Sequence, residues 1–416
     1  MIIAVIGSGG REHAIAWKLE QSELVERVFV IPGNGGTKVN VDIAIDDFAA
    51  MKAFCADKGV EFLFVGPEVP LANGIVDYFT DTPIKVFGPE KRAAIMESSK
   101  IWSKRFMKKY GVATADYWEL NTKKDREKSS EIIQKLNGKC VIKYDGLAAG
   151  KGVFVCSNTA QATKSMQELE DIYGEDTDFL IEECLIGKEI SILAFTDGEN
   201  YQLMLPSQDH KQLLDGDKGP NTGGMGAFCP VPFYNENIKT EIIKEIIEPT
   251  MKGIQAENFN YKGVIYFGIM LTEVGPKLLE YNVRLGDPET EVVLPALKSD
   301  LAELLLACFD GSLKDFKLEF NLGYFVDVVL VSGGYPKKYQ KNYLINGIDN
   351  LDEETLCFVA GAKKNGNELV TSGGRVLNIV VNAGTLDKAI EKVYSEVKKI
   401  DFKDCYYRTD IGKRDF

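Results

Sequence analysis

The 416-residue chain lacks the excess positive charge, long apolar runs and paired cysteines that mark several classes of protein. Its 49 Lys and Arg against 62 Asp and Glu leave a net charge of -13, whereas a nucleic-acid backbone needs clustered cations. No apolar run approaches the length of a membrane span. The eight cysteines form no CxxC pair, which is typical of buried reduced thiols. We therefore expect no nucleic-acid or membrane partner and a cytoplasmic location.

The first residues also lack the basic segment of a signal peptide, because the apolar run 1–6 leads directly into a glycine turn. The length exceeds one ordinary core, so we expect two to four domains. At 45% hydrophobic and 27% charged residues, the composition is that of a globular protein. The chain shows no internal repeat and no low-complexity segment.

Up to about residue 88, apolar runs alternate with helix-like segments, which predicts a parallel α/β sheet. The first strand leads into a turn and helix that contain Gly9, Gly10, Arg11 and Glu12. A dinucleotide site needs Gly or Ala at the position of Glu12 and an acidic residue at the end of the second strand, and both are missing. A dinucleotide oxidoreductase is thus disfavoured. A small phosphate ester on the backbone N–H groups, or a turn without any ligand, remains open.

Two further glycine turns follow apolar strands, at residues 33–36 with Asn34 and at residues 66–68 with Gly66 and Glu68. Open α/β sheets bind ligands at the carboxyl ends of their strands. Three such turns along one edge favour a binding site there.

Residues 139–143 are predicted to form a strand that runs into a loop of small residues, 144–153. Lys143 and Lys151 lie at its two ends, and Gly150 and Gly152 allow close approach to a ligand. The loop is not GxxxxGK[ST], because Gly152 follows Lys151. We expect a phosphate-binding loop of another kind, mobile without nucleotide and ordered with it.

A strand at 179–185 and another at 189–195 carry acidic residues at their ends. Such a strand can receive adenine on its backbone and ribose on a carboxylate, although an ordinary hairpin is also open. Residues 206–230 show neither helical nor strand periodicity and include one of only two histidines. We interpret this segment as an ordered active-site loop, with flexible disorder as the alternative.

Residues 279–289 contain the most informative pattern in the chain. Side chains of an extended strand alternate between faces, so Glu280, Asn282 and Arg284 are predicted to point the same way. Two oxygen ligands and a cation suit a magnesium-bound polyphosphate. A solvated edge strand is the alternative. The remaining predicted elements are a helical linker at 97–104, helices at 235–257 and 291–306, and a strand-rich region from 324 with a helix at 386–399.

Taken together, these motifs resemble those of the phosphoribosylamine-glycine ligases, the glycinamide ribonucleotide synthetases of the ATP-grasp superfamily. The most specific segments are 209–211, 219–226, 284–289 and 407–412. Cys184 and Leu285 stand where the family usually has Phe, and Glu291 stands where Gln is common. These departures concern packing and the rim of the pocket.

The resemblance implies an α/β and α+β fold in three domains. Residues 1–100 would form a Rossmann-like parallel sheet. Residues 101–321 would form an ATP-grasp domain with a small lid at about 122–186, and residues 322–416 a strand-rich α+β domain. ATP would lie between the lid and the central domain of a monomer.

The implied activity is ATP-dependent joining of glycine to 5-phosphoribosylamine through glycyl phosphate, in de novo purine biosynthesis. Mg²⁺ or Mn²⁺ would be the cofactor. Two alternatives are a related ligase that carboxylates or formylates a purine ribonucleotide and a non-catalytic nucleotide-binding regulator. The residues implied are Arg284, Asp209 and Lys211 for catalysis; Glu280 and Asn282 for the metal; Lys104, Lys143, Gly150, Lys151, Gly152, Glu183, Leu185 and Glu189 for ATP; and Gly9, Gly10, Arg11, Glu12, Asn34, Gly66, Glu68, Asn221, Gly223, Gly224 and Asp287 for the other substrates.

Overall fold

The computed structural model describes residues 1–148 and 152–413. The N-terminal part shows the predicted alternation of strands and helices. Strands β1 to β4 pair in parallel in the order β4-β3-β1-β2, and their apolar residues are buried, as expected for a parallel sheet covered on both faces. The elements are β1 (Ile2–Gly7), α1 (Gly10–Leu19), β2 (Arg27–Pro32), α2 (Phe48–Lys58), β3 (Phe62–Val65), α3 (Glu68–Ala72), α4 (Ile75–Tyr78), β4 (Lys85–Pro89) and α5 (Lys91–Ser98).

The next part of the chain contains a sheet with a core of its own. Its described strands pair in the order β5-β8-β6-β7, and two helices cover it. The apolar cluster of this unit is separate from those of the other sheets, which supports its interpretation as a lid. The elements are α6 (Lys100–Tyr110), β5 (Tyr117–Asn121), α7 (Arg126–Lys135), β6 (Lys139–Tyr144), β7 (Val153–Ser157), α8 (Thr159–Tyr173) and β8 (Asp178–Glu183).

The central part is joined to the N-terminal sheet by one long strand, β15 (Tyr261–Thr272). Its first two residues pair with β4, and residues 263–271 pair with β9. One sheet therefore continues from the parallel strands into an antiparallel half. The other elements are β9 (Lys188–Thr196), β10 (Tyr201–Leu203), β11 (Gln208–Asp209), β12 (Gln212–Leu214), β13 (Lys218–Asn221), β14 (Gly226–Cys229), α9 (Glu236–Ile242), a π-helical segment (Ile243–Ile247), α10 (Glu248–Ala256), β16 (Gly275–Asn282), α11 (Thr290–Ala296), α12 (Leu301–Asp310) and a 3₁₀ helix (Leu313–Asp315).

The C-terminal part forms a sheet with strands from the centre of the chain. The order in the described residues is β11-β14-β17-β21-β18, so this sheet crosses the predicted domain limit at 321. The domain limits stay predictions. The elements are β17 (Tyr324–Val331), a 3₁₀ turn (Ile348–Asn350), β18 (Leu356–Val359), β19 (Ala362–Asn365), β20 (Glu368–Thr371), β21 (Arg375–Ala383) and α13 (Leu386–Val397). Within the described ranges, no helix is long and apolar enough to cross a membrane.

Three local predictions need correction. Residues 206–230 contain four strands of two to four residues, which are too short to show a period in the sequence. The predicted linker 97–104 is broken at Ser99, whose hydroxyl accepts the Trp102 N–H and begins a new helix. The predicted helix 291–306 is two helices, because Asp300 caps a second one after Pro295.

Candidate active site

A cavity of about 1080 Å³ lies between the lid, the central sheet and the C-terminal sheet. This volume is at the upper end for ligand sites and leaves room for a nucleotide and a second substrate. Most of the predicted site residues line it. They are Arg11, Glu68, Lys104, Lys143, Gly152, Glu183, Leu185, Glu189, Asp209, Lys211, Asn221, Gly223, Glu280, Asn282, Arg284 and Asp287.

Six described residues of the predicted set do not line this cavity: Gly9, Gly10, Glu12, Asn34, Gly66 and Gly224. The Glu12 carboxylate fills the first glycine turn, where it accepts the Gly9 N–H at 2.6 Å and pairs with Arg11 at 2.6 Å. A Cβ atom on Gly66 would lie only 2.1 Å from Glu12 Oε1. The backbone N–H of Gly9, which was predicted to bind an external anion, thus already donates to an internal carboxylate.

Asn34 has a similar internal role, because its amide nitrogen donates to the carbonyl oxygens of Ser8 and Val359. Its side-chain oxygen accepts the Gly36 N–H. These bonds connect two glycine turns and β18. The predicted phosphate residues Gly150 and Lys151 lie outside the described residues.

Lys104 and Lys143 share one buried carboxylate, Glu182. Both ammonium nitrogens lie 2.9 Å from Glu182 oxygens, and the three side chains are 2%, 6% and 2% exposed, respectively. Burial lowers the pKa of Lys104 to about 8. Burial opposes ionisation of Glu182, yet the two lysines hold its pKa below its ordinary value. The cations predicted for ATP phosphates are therefore held in place before any ligand binds.

Sequence reasoning missed Glu182. An acidic residue that continues the apolar run 179–181 could have indicated a buried pair, because an isolated buried charge is costly.

The predicted metal ligands Glu280 and Asn282 face the cavity from β16. Burial opposes ionisation of Glu280, but Lys211, Lys143 and Lys100 together keep its pKa below its ordinary value. In residues 1–148 and 152–413, neither the Glu280 nor the Asn282 side chain has a hydrogen-bond partner. An ionised carboxylate and an amide with oxygen atoms available fit a hard divalent cation.

No cluster of three or more His, Cys, Asp or Glu suited to a metal exists in the described parts of the chain. A cation at Glu280 and Asn282 would therefore need further oxygen ligands from phosphates or water, which is how Mg²⁺ is commonly held.

The prediction that Arg284 continues the strand of Glu280 and Asn282 is wrong, because β16 ends at Asn282. The Arg284 guanidinium group lies 3.0 Å from Glu97 and 3.3 Å from Glu68. Burial works against the charge, but Glu97 and Glu68 raise the pKa of Arg284 above its ordinary value. The cation predicted to neutralise phosphoryl charge is thus already paired with two carboxylates.

Lys211 and Glu189, predicted for catalysis and for ribose binding, form an ion pair with each other. Burial opposes the charge on Lys211, whereas Asp209 and Glu189 raise its pKa well above its ordinary value. Glu183 accepts the Asp116 N–H through its side chain at 3.0 Å. Its neighbours Cys184 and Leu185 also line the cavity, next to the lid.

Arg375 is a second cavity residue that sequence reasoning missed. Its guanidinium donates to the Gly223 carbonyl oxygen at 2.6 Å and pairs with Asp287 at 2.9 Å. In the sequence, the two glycines that precede Arg375 indicate only a turn at 372–375. Its contact with Gly223 spans 152 positions and has no local signal.

A lid sheet, an antiparallel central sheet and a buried set of lysines facing a carboxylate–amide pair are the features expected of an ATP-grasp enzyme. Models of the phosphoribosylglycinamide synthetase N, ATP-grasp (A) and C domains match residues 1–97, 98–290 and 325–414. The chain belongs to this family.

Relatives and solved structures agree with this assignment. The chain is 46% identical to a phosphoribosylamine–glycine ligase of Clostridium acetobutylicum, over 99% of this chain and 100% of the relative. A crystal structure of phosphoribosylamine–glycine ligase from Thermotoga maritima is similar, with a TM-score of 0.83 and 36% identity over 99% of this chain and 100% of the other. Biotin carboxylase from Campylobacter jejuni, at 15% identity, shares the fold, with a TM-score of 0.72 over 99% of this chain and 94% of the other.

Proposed function

We propose that this chain joins glycine to 5-phosphoribosylamine at the expense of ATP, giving glycinamide ribonucleotide, ADP and phosphate in de novo purine biosynthesis. The observation that carries the proposal is a cavity that Glu280, Asn282 and the paired lysines line together with Asp287 and Arg375. We propose that ATP lies beside the lid residues of this cavity and that the other substrates lie beside Asp287 and Arg375.

The first step makes glycine reactive. A carboxylate oxygen of glycine forms a bond to the γ-phosphorus of ATP while the bond from that phosphorus to the β-γ bridging oxygen breaks. ADP leaves, and glycyl phosphate remains. Phosphoryl transfer of this kind asks the protein mainly for positioning and for neutralisation of charge.

The second step forms the amide. The amine of phosphoribosylamine attacks the carbonyl carbon of glycyl phosphate, the bond from this carbon to the phosphate oxygen breaks, and the nitrogen loses a proton. The acyl phosphate must be kept from water until the amine arrives. The lid over the cavity suits this requirement, and none of the eight cysteines is needed as a nucleophile.

We propose the following residue roles. Lys104 and Lys143 are proposed for the ATP phosphates, with Glu189 for the ribose and the backbone of Glu183 and Leu185 for adenine. Asp209, Lys211 and Arg284 are proposed for catalysis. The proposed wall for the other substrates is Arg11, Glu68, Asn221, Gly223 and Asp287, whereas Gly9, Gly10, Glu12, Asn34, Gly66 and Gly224 are proposed to shape it.

A divalent metal ion on Glu280 and Asn282, when bound, supplies positive charge to the phosphates. We propose Mg²⁺ or Mn²⁺ in this role. We also propose that the chain acts as a monomer. Eight free cysteines support a reducing compartment such as the cytoplasm.

The test is a turnover assay with ATP, Mg²⁺, glycine and freshly prepared phosphoribosylamine, followed by mass spectrometry of the products. We expect ADP and the amide in equal amounts, and no amide when glycine is omitted. Amide formation from another carboxylate, or carboxylation of a ribonucleotide, would contradict this proposal and show that the chain is a related ATP-grasp ligase.

A further inference from the structure

The C-terminal motif 407–412 has no role in the function described so far. It lies against one wall of the cavity, the β12–β13 hairpin (residues 212–221). This hairpin pairs only with itself among the described strands, and an isolated two-stranded hairpin is marginally stable in water. Something outside the hairpin must therefore hold it.

Arg408 supplies part of that support. Its side chain is fully buried, and its guanidinium donates to the Gln212 carbonyl oxygen at 3.0 Å and to Asp217 at 2.9 Å. The same group makes a two-pronged contact with Asp410, both bonds being 2.7 Å. Asp410 in turn accepts the Gly216 N–H at 2.8 Å. The guanidinium group of Arg408 thus contacts both the first residue and the turn of the hairpin.

Two further contacts fix the C-terminal segment itself. Asp215 accepts the Thr409 N–H at 2.9 Å and also contacts the Thr409 hydroxyl group. On the other side, the Tyr394 hydroxyl group on α13 donates to the Arg408 carbonyl oxygen at 2.9 Å and accepts the Ile411 N–H at 2.9 Å. The segment therefore connects α13 to the hairpin.

The hairpin matters to the site because Gln212, Gly216, Asp217 and Asn221 line the cavity. Immediately after it, Gly223 is held by Arg375, which also pairs with Asp287. Asn221, Gly223 and Asp287, on or beside this wall, are the residues proposed above for the substrates other than ATP.

We propose that Arg408 is a positioning residue, which holds the β12–β13 hairpin in the shape that glycine and phosphoribosylamine require. The role rests on the proposed function for its substrates. Lysine cannot replace it, because a single ammonium group lacks the planar fork that reaches Asp410, Asp217 and the Gln212 carbonyl oxygen together.

The first test needs no substrate. In Arg408→Lys, amide hydrogen exchange across residues 212–221 should become about tenfold faster, because charge-assisted hydrogen bonds are lost. Exchange in β17 and β21 should stay unchanged. Lys392→Gln is the matched control, because Lys392 lies on α13 and its ion pair with Glu354 does not involve the hairpin. Unchanged exchange of the hairpin in Arg408→Lys would overturn the proposal.

The second test uses steady-state kinetics. Arg408→Lys should raise KM for glycine or phosphoribosylamine by about tenfold and change KM for ATP by less than about threefold. Asp217→Asn should raise the same KM values by a smaller factor. If Arg408→Lys does not fold, the KM values of Asp217→Asn test the proposal by the same criteria. Equal increases for all three substrates, or none, would contradict a positioning role. Inactive wild-type enzyme would refute the proposed function and leave the exchange result valid.

Discussion

Replacing Glu182 by Gln should loosen the lid, because this carboxylate is shared by two buried ammonium groups. The Lys104 and Lys143 nitrogens each lie 2.9 Å from Glu182, and no side chain of the three is more than 6% exposed. Removal of one partner from a buried pair costs about 3 to 5 kcal/mol, since the remaining charges stay desolvated. Glutamine keeps the shape of the side chain, so the loss reflects charge rather than a cavity.

Native-state hydrogen exchange of β6 and β8 measures this loss directly. A decrease of about 3 to 5 kcal/mol in the free energy of local opening corresponds to exchange that is roughly 100 to 4,000 times faster. ATP should restore part of the protection, because its phosphates bring negative charge to the same lysines.

The matched control is Glu119→Gln on the neighbouring strand β5. The partner of Glu119, Arg105, is 65% exposed, so that pair should contribute less than about 1 kcal/mol. If Glu182→Gln changed exchange no more than Glu119→Gln, the buried cluster would not stabilise the lid, and the reasoning would be refuted.

Three other predictions concern single side chains. Glu280→Ala should abolish turnover and leave the circular dichroism spectrum intact; normal activity at ordinary Mg²⁺ would exclude it as a metal ligand. Burial and the nearby Asp287 and Asp327 raise the pKa of Glu291, so the folded state holds its proton and loses stability as pH rises above 4.5. In Glu291→Gln, the free energy of unfolding, measured by denaturation at several pH values, should lack this decrease, which amounts to at most about 1.4 kcal/mol per pH unit. Identical pH slopes in the variant and the unmodified protein would contradict this prediction. Because the pKa of Lys104 is about 8, kcat/KM for ATP should fall above that pH. The Lys104→Met variant should be less active and should lack this decrease at high pH.

Local patterns in the sequence predicted a large part of the fold and of the site. The alternation of apolar runs predicted the parallel strands, and the period of two placed Glu280 and Asn282 on one face. Both signals arise between residues close together in the chain, where geometry follows directly from backbone type.

The missed features depend on contacts between distant residues. Arg408 meets Asp217 across 191 positions, and Arg375 meets Gly223 across 152. Glu12 fills a turn that looked open to an external anion, because only the folded backbone brings Gly66 beside it. Strands as short as Gln208–Asp209 owe their conformation to the sheet they join and have no period of their own.

The proposed acyl phosphate can be tested by following one oxygen atom. Glycine labelled with ¹⁸O in its carboxyl group is incubated with the enzyme, ATP, Mg²⁺ and phosphoribosylamine, and the released phosphate is analysed by mass spectrometry. Attack of the carboxylate on the γ-phosphorus predicts transfer of one ¹⁸O atom from each glycine consumed into phosphate. Phosphate without the label, formed together with the amide, would contradict this account.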